Sequence, residues 1–150
     1  MVGRSPATPQ QADAAGARDL PCSARTPPGA RLIRALTPDT DEDRRLRSWL
    51  RDGKSVGISV VGWAEFLCGP VDDDDVKLAA RIVREPIVLT ADDAAMTGRL
   101  FNLAGRRSRS FVDCMIAAAA LRAEATLATA DTPDFRRFES AGLRIVSTGD

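Results

Sequence analysis

The chain has 150 residues, 44% hydrophobic and 28% charged, and its 21 basic and 21 acidic side chains balance to zero net charge. That length suits one domain with a modest core, and the even balance leaves no global field to draw in nucleic acid, so any such binding must use a local basic patch. The absence of histidine excludes Ser-His-Asp and Cys-His catalysis, imidazole acid–base chemistry and His-ligated zinc. It leaves oxygen ligands, which suit Mg²⁺ or Mn²⁺.

Residues 1–30 are rich in Ala, Pro, Gly, Arg and Ser and lack both helical and strand periodicity, so they are expected to form a disordered or atypical N-terminal arm ahead of a single domain at 31–150. Residues 32–36 form a short apolar helical piece stopped by Pro38. Residues 39–51 read as a helix with acids in the first turn, arginines later and Gly53 beyond the end. Residues 56–60 are a strand candidate, continued by a helix over 61–68 that Gly69-Pro70 ends. Residues 72–84 are helical, with four aspartates at the favourable N-terminal end. Residues 87–89 form a short extended connection.

Thr90-Ala-Asp-Asp93 has the pattern of a capping box, opening a helix to Ala104 with Gly105 as its stop. After the basic loop 106–109, Ser110-Phe-Val-Asp113 has the same pattern and opens an alanine-rich helix to about residue 125. Residues 126–129 are a strand candidate, 133–140 a short helix and 143–146 a last strand. Strands alternating with helices imply an α/β sandwich around a parallel sheet.

Cys22, Cys68 and Cys114 are far apart and not in a CxxC arrangement, which reads as reduced thiols in a cytoplasmic protein. Cys68 and Cys114 are expected as small core residues. No run is long or apolar enough to span a membrane, and no secretory signal is visible.

Three acids occupy related settings. Glu65 lies in the helix that leaves the first strand candidate, Asp113 in the first turn of its helix, and Asp131 just past the strand 126–129. Ligands bind beyond the carboxyl ends of strands in open α/β sheets, helix N-termini favour ionised carboxylates, and a hard cation needs ionised carboxylates. Each acid also has an ordinary reading. Asp113 can be half of a capping box, Asp131 a turn residue before Thr132-Pro133, and Glu65 a surface helix residue. Their joint placement is what favours a metal site. The run 72–75 reads as a solvated helix start, and Trp63, Phe66 and Leu67 as core or partner-facing.

Three blocks, in this order, resemble PIN-domain ribonuclease toxins of the VapC type: Ile58-Ser-Val-Val-Gly-Trp-Ala-Glu-Phe-Leu-Cys-Gly69, Gly105-Arg-Arg-Ser-Arg-Ser-Phe-Val-Asp-Cys-Met-Ile-Ala-Ala-Ala-Ala-Leu121, and Thr126-Leu-Ala-Thr-Ala-Asp-Thr-Pro-Asp-Phe135. The resemblance implies a PIN-like three-layer α/β sandwich and a Mg²⁺- or Mn²⁺-dependent endoribonuclease, the toxin of a toxin–antitoxin pair. Glu65, Asp113 and Asp131 become metal ligands, Asp134 a fourth acid and Thr129 a supporting hydroxyl. It further implies an RNA substrate, a cognate antitoxin and a homodimer.

The chain also departs from the family. Its usual opening is a short apolar strand ending in Asp. Counting back from Leu32 places that acid near Pro28, where there is none, so the first strand is expected to be degenerate or missing. Asp19 is too far upstream to substitute unless the chain loops back. A rival reading is therefore an impaired PIN-like module that still binds antitoxin through Trp63, Phe66 and their apolar neighbours. Arg106, Arg107 and Arg109, with Arg136 and Arg137, are candidates for holding RNA phosphates; the alternative is a solvated basic loop. Aromatic content of 5% makes base stacking a minor resource. A phosphotransfer receiver fits poorly, because the only lysines, Lys54 and Lys77, follow no late strand.

Overall fold

The computed structural model describes residues 19–22, 35–83, 85–107, 110–129 and 131–148. Three parallel strands form the sheet: β1 (Asp19–Cys22), β2 (Thr126–Thr129) and β3 (Arg144–Ser147), in that order. Cys22 pairs with Thr129 and Thr129 with Ser147, so the three C-terminal ends share one edge. The α/β architecture around a parallel sheet is as the sequence implies. The first strand is degenerate rather than missing. It comes from within the segment expected to be an irregular arm, contains Pro21 and ends on Cys22 instead of an acid. Asp19 pairs with Thr126 at the opposite edge, three residues and roughly 10 Å of strand from the C-terminal end. The expected acid position near Pro28 lies outside the described residues, as does most of the helical piece over 32–36.

Helix α1 (Asp41–Arg51) starts later than its acids alone suggest. Asp39 has φ 67° and cannot join a right-handed helix, so Thr40 becomes the cap and accepts the Asp43 amide at 3.1 Å. Gly53, at φ 72°, releases the chain at the other end. The Arg45 guanidinium donates to the carbonyl of Ser147 and ties this helix to the end of β3.

The strand expected over 56–60 does not form. Ser59 caps α2 (Val60–Leu67), its hydroxyl accepting the Gly62 amide at 3.1 Å, so Val60 is already helical. What remains is a single parallel bridge, in which Ile87 donates to the Ile58 carbonyl at 2.7 Å and Val60 to the Ile87 carbonyl at 2.9 Å. Helix α3 (Asp73–Val83) opens with Asp73 and Asp74 exposed and Asp75 half-buried, close to what a solvated helix start requires.

Helix α4 (Ala91–Leu103) carries the full capping box of Thr90 and Asp93. It packs against α5 (Phe111–Arg122), whose Ala117, Ala118, Ala119 and Ala120 are buried. Small side chains let the neighbouring backbones approach and still exclude water. α5 ends at Arg122, three residues short of expectation, where Glu124 turns the chain at φ 50°.

Beyond β2 come α6 (Thr132–Arg136), a 3₁₀ turn over Glu139–Ala141, and β3. Phe135 and Phe138 are fully buried, with Ile116, Leu127 and Leu100, in the larger of two apolar clusters. The smaller holds Ile58, Phe66, Ala79 and Val83, with Trp63 packed against it. Phe66 is thus core, its ring 5.1 Å from that of Trp63, and is not available to a partner. Cys114 is buried as expected, but Cys68 is exposed at the end of α2. Among the described residues no helix is long and apolar enough to cross a membrane.

Candidate functional site

Parallel pairing fixes where the site lies. α5 leads into β2 through a short turn, so it runs back against that strand and starts over the sheet's C-terminal edge. Asp113, in its first turn, is buried there. α2 packs against α5 and brings Glu65 alongside. The result is a pair of carboxylates in low-dielectric surroundings. Burial, and then the charge of Asp113, push the Glu65 carboxyl from 4.5 up to about 7. Its Oε2 is buried with no hydrogen-bond partner.

An orphaned carboxylate oxygen beside a second acid is an unfavourable arrangement unless a proton or a cation is shared. The donor set is hard oxygen, which suits Mg²⁺ or Mn²⁺, and a bound dication would reverse the local electrostatics. The residues present therefore fit a divalent ion. Glu65 and Asp113 are the two that the structure brings together. Among the described residues no group of three or more acid or thiol side chains stands close enough together to hold a metal. Asp131 follows Thr129 on the same edge, but α6 begins immediately after it, and its backbone is taken up in the turn, the amide donating to Thr129 Oγ1 at 3.0 Å. That bond gives Thr129, fully buried, a structural task. Asp134 is ion-paired with Arg137 Nη2 at 3.3 Å.

Asp113 is not half of a capping box. Ser110 has φ −94° and ψ 3°, not the extended backbone of a cap, and its hydroxyl donates to the Arg107 carbonyl at 2.7 Å. Cys114, one residue on, has its thiol pushed up by burial and by Asp113, which makes it an inert core group.

Arg106 and Arg107 are exposed in the turn before α5, and Arg109 lies outside the described residues. Arg136 is exposed, whereas Arg137 is spent on Asp134 and the ring face of Phe138, 5.5 Å away. One buried ionic site was not anticipated. Arg122 Nε donates to both carboxylate oxygens of Asp93 at 2.9 Å, and its Nη2 to the Val88 carbonyl at 2.9 Å. The capping box revealed Asp93, but no local pattern signals a partner 29 residues away.

The family described as PIN domain matches residues 32–140. Several solved structures share the fold at low sequence identity. A chain of VapBC2 from Rickettsia felis, solved bound to a fragment of promoter DNA, is 16% identical with a TM-score of 0.65, over 87% of this chain and 98% of that one. A chain of FitAcB from Neisseria gonorrhoeae is 18% identical with a TM-score of 0.61, over 87% and 97%. A chain of VapBC-1 from nontypeable Haemophilus influenzae is 14% identical with a TM-score of 0.62, over 89% and 98%. Among curated proteins none matches the chain in sequence.

Proposed function

The chain belongs to the PIN-domain family, and from that premise we propose that it is a divalent-metal-dependent endoribonuclease, the cytoplasmic toxin of a toxin–antitoxin pair. The observation that carries the reading is the orphaned Glu65 oxygen beside buried Asp113 at the C-terminal edge of a parallel sheet. Mg²⁺ keeps several waters and takes one or two protein carboxylates, so a pair is a sufficient anchor. Glu65 and Asp113 hold the cation, and Asp131, on the same edge, completes the ligand set. Asp134 shapes the loop through its bond to Arg137. A cation there supplies charge stabilisation on a phosphodiester and a more acidic water.

The residues around the pair do the rest. Burial of Asp113 and of Glu65 Oε2 limits competition from bulk water, and exposed Arg106 and Arg107, ahead of Asp113 in the chain, neutralise backbone phosphates. The antitoxin and a second copy of the chain are proposed as partners on the strength of the family likeness, since the similar structures are complexes by their descriptions.

The test is degradation of single-stranded RNA by the purified chain with Mn²⁺. Cleavage should stop on chelation and fall at least about a hundredfold in Glu65→Gln and in Asp113→Asn. Chelator-resistant cleavage, or unchanged rates in both variants, would refute the proposal.

A second reading has its own support. β1 ends on Cys22 where the family has an acid, and two carboxylates come together instead of three. On this reading the module binds its antitoxin but cuts nothing. Co-purification with an antitoxin, without metal-dependent cleavage, selects it.

A further inference from the structure

Phe111 is an aromatic residue left in solvent by an otherwise well-packed helix. It is the first residue of α5, and 47% of its surface is exposed, with Val112 beside it at 38%. Its ring does not hang free. Phe101, near the end of α4, meets it edge-on, with centroids 5.6 Å apart and planes at 85°. An edge-on contact orients a ring, and nearly half of this residue's surface stays open to solvent. Phe101 also anchors the basic turn, because its carbonyl accepts the Arg106 amide at 2.9 Å. An exposed aromatic ring held edge-on and two exposed guanidinium groups, Arg106 and Arg107, therefore flank one short connection, just ahead of Asp113 in the chain.

We propose that Phe111 is a base-stacking platform for single-stranded RNA and that it helps set which nucleotide lies near the acid pair. The proposal rests on the ribonuclease reading above. An apolar peptide would use only Phe111 and Val112, whereas two guanidinium groups in the same connection suit a polyanion, and a polyanion carrying flat bases uses both ring and cation. Stacking on an exposed aromatic tolerates any base and adds to phosphate contacts. Phe111 and Asp113 are two positions apart and so face different sides of the helix. The stacked base therefore belongs to a nucleotide neighbouring the one that is cut. Phe111 is accordingly a positioning residue, expected to act on binding more than on the chemical step.

The experiment uses the full chain and a single-stranded RNA oligonucleotide, with binding read by fluorescence anisotropy and cleavage by steady-state rates in Mn²⁺. Phe111→Leu, which stays apolar, should weaken binding and raise KM roughly ten- to a hundredfold, with kcat within about twofold. Phe111→Trp should retain wild-type affinity and controls for folding. Oligonucleotides with one abasic site, moved along the strand, supply the decisive comparison. One position should cost the wild type the same factor and cost Phe111→Leu nothing. Equal affinity of wild type and Phe111→Leu overturns the inference, as does an abasic profile identical in the two proteins. So does a Phe111→Leu defect confined to self-association or antitoxin binding. Ring- and base-dependent binding without cleavage would support this inference while defeating the nuclease reading; metal-dependent cleavage indifferent to Phe111 would do the reverse.

Discussion

Two acid sites in this molecule, both taken out of water, show how one functional group can serve opposite ends. Asp93 is 1% exposed and fully employed: Thr90 donates its amide at 2.9 Å and its hydroxyl at 3.1 Å, and Arg122 grips both oxygens. Burial alone would push this carboxyl up, but those bonds outweigh it and hold it below the usual range. Glu65 is only half-buried, but one of its oxygens is out of water without a partner. Its Oε2 has no hydrogen-bond donor, its close charged neighbour is another acid, and its carboxyl rises to about 7. A protein that satisfies one such group so completely and leaves the other unsatisfied is using them differently. Asp93 joins α4 to α5 and to the segment before α4. The Glu65–Asp113 pair costs stability and offers a place for a cation.

The contrast is sharpest in the sign of the mutational effect. Removing the satisfied acid with Asp93→Ala should destabilise the chain by about 3 kcal/mol, since it deletes a cap and leaves the Arg122 charge without its partner. Denaturant unfolding measures this, and a loss under about 1 kcal/mol would show that the Arg122 contact contributes little.

Glu65→Gln should do the opposite at high pH. A carboxyl whose folded value lies above its unfolded one favours the protonated folded state, so wild-type stability from this group falls as pH rises from 4.5 through about 7. At pH 8 the variant should be the more stable by about 2 kcal/mol once solvent screening of this half-buried group is allowed for, an advantage that disappears by pH 4. Parallel stability–pH curves for the two proteins would remove the basis for calling the pair strained.

The smallest effect concerns the cation itself. At pH 8, Mg²⁺ or Mn²⁺ at ten times its dissociation constant should stabilise the wild type by about 1.4 kcal/mol and leave Glu65→Gln nearly unmoved. A thermal-shift series reads this directly, and equal shifts in both proteins would place the ion elsewhere.

Much of the fold was legible because it is written in short-range patterns. Thr90-Ala-Asp-Asp93 spells a capping box and is one, with Thr90 in extended backbone at ψ 171°. Ser110-Phe-Val-Asp113 has the same spelling and is not, because the turn from α4 sets Ser110 at ψ 3° and spends its hydroxyl on Arg107. A sequence pattern specifies which groups are able to bond; the incoming chain direction decides whether they do. The strand expected over residues 56–60 failed for a related reason, its last residues being claimed by the cap of α2. β1 was unreadable because a four-residue strand with an internal proline carries little periodicity, and only pairing with β2 makes it a strand.

The candidate site divides the same way. That Asp113 lies at a helix start and Asp131 just past a strand follows from hydrophobic periodicity alone. Which acids meet does not, because convergence is a property of how α2 and α5 pack, and packing is set by volumes and angles spread along the whole chain. By itself, the sequence determined the order of the helices from residue 41 onward, the exclusion of imidazole chemistry and the supply of hard oxygen ligands, since these depend only on residue type and spacing. The tertiary structure alone decided that two acids are forced together, that Phe66 is core, that Phe111 stands in solvent, and that Asp93 finds its arginine. Each of those depends on groups distant in sequence, or on solvent, competing for the same small volume.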